Sequence, residues 1–135
     1  MVAAGFRVAA LTLACAACTS VLADARTFEG TSWRVTTIDG QATPEAGDYR
    51  IEFRKGEITG RFGCNSWGGS YSIAGETIVA SRVIATQMGC GDPAGRFESE
   101  GFKVLRQPMR WTWIAGETLT LTNDAGSMTL VRRPW

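Results

Sequence analysis

The chain contains no histidine. That absence removes Ser–His and Cys–His nucleophile systems and any histidine-ligated metal site. It also has little net charge, +1 overall, and its arginines are scattered, so no basic field points to nucleic acid. The apolar run at the amino terminus stops at Asp24, too short to cross a bilayer comfortably. Beyond that run there is no C-x-x-C pair, and the chain shows no internal repeat, low-complexity segment or second domain. No cofactor motif is present.

What the first 23 residues do hold is an export pattern. Arg7 is the one early charge, Val8 to Cys18 is apolar and small, and Val21-Leu22-Ala23 precedes Asp24 as a small-residue cut point. Cys18 follows an alanine near the end of the run, so lipid attachment at Cys18 is the alternative to soluble release. Neither Cys15 nor Cys18 has a leucine three residues upstream, and soluble release is the favoured reading. The remainder, about 110 residues, is one small domain spanning 27–133 with a modest core.

Two cysteines, Cys64 and Cys90, remain after export. An even count in an oxidising compartment reads as a disulfide, with two buried free thiols as the alternative. Such a bridge stabilises a small domain by about 3 to 4 kcal/mol in the chain-entropy model. Around Cys64 lies Gly60-Arg61-Phe62-Gly63-Cys64-Asn65-Ser66-Trp67-Gly68-Gly69-Ser70-Tyr71, whose glycines mark a bend or bulge between strands.

The rest of the domain alternates. In Thr31–Ile38, Trp33, Val35 and Thr37 face one way, and Arg34, Thr36 and Ile38 the other. Segment 41–48 reads as a loop. Ile51 and Phe53 pair across a tight turn with Ile58–Phe62 as a hairpin. Short strands follow at Ser70–Ile73, Thr77–Ala80 and Val83–Thr86. The period then becomes helical from Pro93 to Arg106, with Asp92 as N-cap and Pro93 at the first position. Ala94, Phe97, Gly101, Phe102, Val104 and Leu105 share its apolar face. Three strands close the chain, carrying Met109, Trp111 and Trp113, then Leu119 and Leu121, then Met128 and Leu130. The fold class is α+β: a strongly curved, half-barrel-like antiparallel sheet of about eight short strands wrapped on one α-helix.

Among candidate functional residues, Asn65 can satisfy backbone groups in the bend, a structural role, or serve as a ligand-binding amide. Trp67, Tyr71, Trp111 and Trp113 are candidates for an apolar binding surface. Trp111 and Trp113 share a face, and burial against the helix is its ordinary fate. Glu98 projects near the edge of the helix's apolar face, where it would meet an arginine such as Arg61 or Arg82, or reach solvent. No carboxylate pair has the spacing for acid–base work.

Several of these segments carry a resemblance. Thr31-Ser32-Trp33-Arg34-Val35, Gly63-Cys64-Asn65 with Gly69-Ser70-Tyr71, Thr86-Gln87-Met88-Gly89-Cys90, Asp92-Pro93 and Leu119-Thr120-Leu121 together resemble the META domain, or HslJ-like, family. The helix departs from the family pattern: where a glutamate usually stands three residues before the aromatic, this chain has Ser99 flanked by Glu98 and Glu100. The resemblance implies a curved sheet around one helix, and an exported or envelope-anchored bacterial protein without established catalysis. It also implies an association with stress tolerance and a cleft for a lipid or a partner. On this reading Gly63, Asn65, Gly69 and Thr86 are architectural, and no catalytic, cofactor or metal residue is assigned.

The expectation is therefore a monomeric, non-enzymatic accessory protein of the periplasm or envelope. It would bind an envelope protein or an apolar ligand, touching membrane only through a lipid anchor. A secreted hydrolase inhibitor using a protruding 41–48 loop is the alternative, and a thiol oxidoreductase a remote third.

Overall fold

A computed structural model describes residues 28–134. The export segment, its cut point and Cys18 lie outside the described residues. In order, the elements are β1 (Thr31–Ile38), β2 (Gln41–Ala42), β3 (Tyr49–Arg54), β4 (Glu57–Phe62), β5 (Ser66–Ala74), β6 (Thr77–Ala85), α1 (Ala94–Leu105), β7 (Met109–Ala115), β8 (Thr118–Asn123) and β9 (Gly126–Arg133). Every pairing is antiparallel, and neighbours in sequence are neighbours in the sheet from β3 to β9. The two-residue β2 folds back on the end of β1. The expected curved sheet goes further than a half-barrel: β1 also pairs β9, from Ser32↔Arg133 to Ile38↔Met128, and the sheet closes.

Closure follows from alternation. Ile51 and Phe53 on β3, Ile58 on β4, Leu119 and Leu121 on β8, and Met128 and Leu130 on β9 are all fully buried inside the barrel. Burying one such side chain contributes about 1.5–3 kcal/mol, which is what holds a domain of this size together. Ile38 corrects the alternation expected for β1. It is buried, not outward, because an irregularity between Val35 and Thr37 inserts one extra residue against β9 and flips everything after it.

The glycine-rich stretch is also narrower in its effect than expected. Only Gly63–Asn65 leaves the ladder, and β5 begins at Ser66. The two short strands expected at Thr77–Ala80 and Val83–Thr86 form a single β6, interrupted by a bulge. Gly68 pairs with Ile84 and Ser70 with Ser81, so Gly69 faces two residues of β6. One of those, Arg82, takes a positive φ of 54°. A Cβ on Gly69 would stand 2.6 Å from the Ser81 carbonyl oxygen, which accounts for glycine at this site.

The helix stops one end of the barrel. Phe97 packs edge-on to Tyr49 at the start of β3, and Phe102 edge-on to Phe62 at the end of β4. Five residues of the expected apolar face, Phe97, Gly101, Phe102, Val104 and Leu105, are buried. Its start differs from expectation. Pro93 occupies the cap position without a side-chain cap, and the Gly91 carbonyl takes the Gly95 N–H in place of the Asp92 carboxylate. At the opposite end Phe28 fills the barrel against Phe53, Trp33 and Trp111.

Candidate functional site

The site grows out of the turn after β4. Gly63 has φ +88°, which L side chains rarely adopt, and a Cβ there would meet the Tyr49 hydroxyl at 2.5 Å. Its N–H donates to the Asp48 carbonyl at 2.9 Å. This turn aims Cys64 and Asn65 at the segment that follows β6. Cys64 and Cys90 are joined by a disulfide, Cα atoms 6.1 Å apart, so the bridge reading holds over the free thiols. Cys64 is buried and Cys90 exposed.

Asn65 is the hub beside the bridge, and is only 4% exposed. Its Oδ1 accepts from the Thr86 hydroxyl (2.9 Å) and from the Met88 N–H (2.7 Å). Its Nδ2 donates to the Met88 carbonyl (3.1 Å) and to Glu98 Oε1 (2.8 Å). The Asn65 backbone N–H donates to Glu98 Oε2 at 2.6 Å. One amide thus ties the β4–β5 turn, the strap from Thr86 to Cys90, and α1 together. A buried amide with all its groups paired is stabilising, and each partner lost leaves an unpaired polar group that costs about 1–3 kcal/mol.

Glu98 is the residue that sequence reasoning placed wrongly. Its carboxylate faces Asn65, while Arg61 reaches Ser66 and Asp48, and Arg82 reaches the Ser70 hydroxyl. Glu98 and Phe102 are four residues apart and so share a helix face, a signal that could have found the contact. Ser99 is exposed, and Glu100 pairs with Lys103 at 2.7 Å on the outer side.

The four aromatic candidates do not come together. Trp67 is buried between Phe62 and Phe102, ring centres 5.2 and 6.4 Å away. Tyr71 is half-buried, edge-on to Phe53. Trp111 and Trp113 lie at the end opposite the helix, because β7 leaves α1 at Met109 and runs away from it. Trp111 meets Phe28, and Trp113 remains 41% exposed beside Trp33. Two tyrosine hydroxyls are pushed above their ordinary pKa. Burial does this to Tyr49 against the opposing pull of Arg34, and to Tyr71 with help from the Glu29 charge.

Two crevices flank the clasp. One, about 670 Å³, is an outer-face trough floored by Gly68 and Gly69, with Thr59, Arg82 and Ile84 around it. The other, about 680 Å³, lies between the end of β6 with its strap and the helix residues Glu98, Phe102 and Arg106. Ile84, 78% exposed, stands between them, and Met88, 56% exposed, borders the second. Among the described residues no cluster of Cys, Asp and Glu could hold a metal ion, and no helix is long and apolar enough to cross a membrane.

A closed antiparallel barrel stopped by one helix, with a Cys–Asn turn clasped to the strap before that helix, defines a single structural class. The META domain family model matches residues 26–135, and the chain belongs to that family. Two solved structures share the fold. One NMR structure superposes with TM-score 0.68 at 16% identity, covering 78% of this chain and 92% of the other. A second, from Burkholderia xenovorans, superposes with TM-score 0.66 at 22% identity, covering 80% and 85%. No curated protein matches the chain.

Proposed function

We propose that this chain is an exported, non-enzymatic accessory protein of the cell envelope that acts by binding a partner or an apolar ligand around Ile84. The observation that carries this reading is Ile84 itself, a large apolar side chain 78% exposed between two crevices of about 670 and 680 Å³. Exposed apolar groups beside concave surface mark contact sites. Glu98, the carboxylate that lines the second crevice, has both oxygens engaged by Asn65, which supports a holding role for it. Stress tolerance is the setting that family membership suggests.

The inhibitor alternative gains no support from segment 41–48. That loop lies along β1, with the Thr43 hydroxyl on the Val35 carbonyl (2.7 Å) and Arg34 on the Pro44 carbonyl (3.1 Å). The test is titration of the processed protein with a fluorescent fatty acid, beside fractionation of the producing cells. Saturable binding that Ile84→Asp abolishes at unchanged Tm, in a protein found outside the cytoplasm, is expected. Equal binding by both forms, or an unprocessed cytoplasmic chain, contradicts the proposal.

A further inference from the structure

The seam between β6 and β7 is unfinished. Pairing runs only over Thr77↔Arg110 and Ile78↔Met109, and β6 continues for seven more residues. Among the described residues no backbone hydrogen bond reaches Val79–Ala85 from that side. The Thr86 N–H donates to the Ser66 carbonyl of β5 at 3.0 Å. Since strand amides alternate sides, the Ala85 N–H points the other way, into the crevice facing α1. Bulges and arginines on edges usually guard against strand addition. Here the bulge sits earlier, at Arg82, and its guanidinium is turned onto Ser70 over the outer trough. The edge beyond the bulge is left uncovered.

Across the crevice stand Phe102 and Arg106. The Arg106 guanidinium lies over the Phe102 ring, 5.1 Å from its centre. It has no carboxylate partner among the described residues. Glu98, the other charge in the crevice, is held by Asn65. The site therefore offers unpaired strand backbone on one wall, an unmatched cation on the other, and exposed Ile84 and Met88 at its rim.

We propose that the open edge of β6 is a strand acceptor. An extended peptide segment of a partner protein adds beside Val83–Ala85, with apolar side chains on Ile84 and Met88 and a carboxylate on Arg106. This rests on the binding reading above and gives its partner a chemistry. Only a strand supplies the alternating donors and acceptors that the edge lacks, which a lipid chain cannot do. The carboxylate follows from the charge left unmatched on Arg106.

The test selects binders from random peptides displayed on phage against the processed, disulfide-intact protein, then titrates the synthesised winner. The expected winner carries alternating apolar residues and a carboxylate, and slows hydrogen exchange at the Ala85 amide. Ala85→Pro removes that one donor while sparing the β5 ladder, and weakens binding about tenfold at unchanged Tm. Arg106→Glu weakens it by about tenfold or more, whereas Lys55→Glu, at the far end of the barrel, leaves it unchanged. Failure to enrich any peptide, or binding that survives Ala85→Pro, overturns the proposal. If fatty-acid binding sensitive to Ile84→Asp persists in that case, the binding reading stands while the strand acceptor falls.

Discussion

The seam between β1 and β9 joins six residue pairs, from Ser32↔Arg133 to Ile38↔Met128. The seam between β6 and β7 joins two, Thr77↔Arg110 and Ile78↔Met109. Both close the same barrel, by different means. At the first, the ladder and the buried Trp33, Val35 and Leu130 do the closing. At the second, backbone pairing gives out after two pairs, and the disulfide and the Asn65 hub instead tie the strap that continues β6 to the β4–β5 turn and to α1. A closure made of a few polar bonds and one covalent bond is easier to release locally than a ladder over a packed core.

Mutations should separate the two seams by size and reach. Trp33→Ala, in the ladder-closed seam, is expected to destabilise the whole domain by about 4 kcal/mol in urea unfolding. Replacing Cys64 and Cys90 together by serine should cost about 3 kcal/mol. The barrel should remain folded in the circular dichroism spectrum. Glu98→Gln removes one acceptor from Asn65 and should cost about 1–2 kcal/mol, whereas Glu100→Gln, on the exposed pair with Lys103, should stay within about 0.5 kcal/mol. The smallest effect is set by pH. The fold favours protonated Tyr49 and Tyr71, so their contribution is whole below about pH 10 and is lost as pH rises through their raised values. Unfolding midpoints measured between neutral and strongly alkaline pH should fall only in that last range, and less so in Tyr49→Phe.

Much of the ladder-closed seam, and of the strands β3 and β8 that flank it, was legible because alternation and burial agree there. Trp33, Ile51, Phe53, Leu119, Leu121 and Leu130 all stand where period-two reading puts them. Ile38 escaped because a bulge leaves no mark in composition. The helix and its apolar face were equally visible, and the paired cysteines followed from their even count. The side-chain-closed seam was harder to read. Nothing local in Thr77–Ala85 says that its outer edge goes unpaired beyond Ile78, since that depends on where β7 lies after the helix. Glu98 was visible as a carboxylate near an apolar stripe, but its partner is 33 residues away. The tryptophans of β7 were placed at the wrong end for the same reason: adjacency to the helix in sequence does not survive the turn at Pro108.

The most direct test is amide hydrogen exchange on the processed protein with the disulfide intact and then reduced. The Met88 N–H, held on Asn65 Oδ1, should lose its protection on reduction, while the amides of Arg34 and Val131, which face each other across the β1–β9 seam, stay slow. Unchanged protection at Met88, or simultaneous loss at all three, would contradict the account.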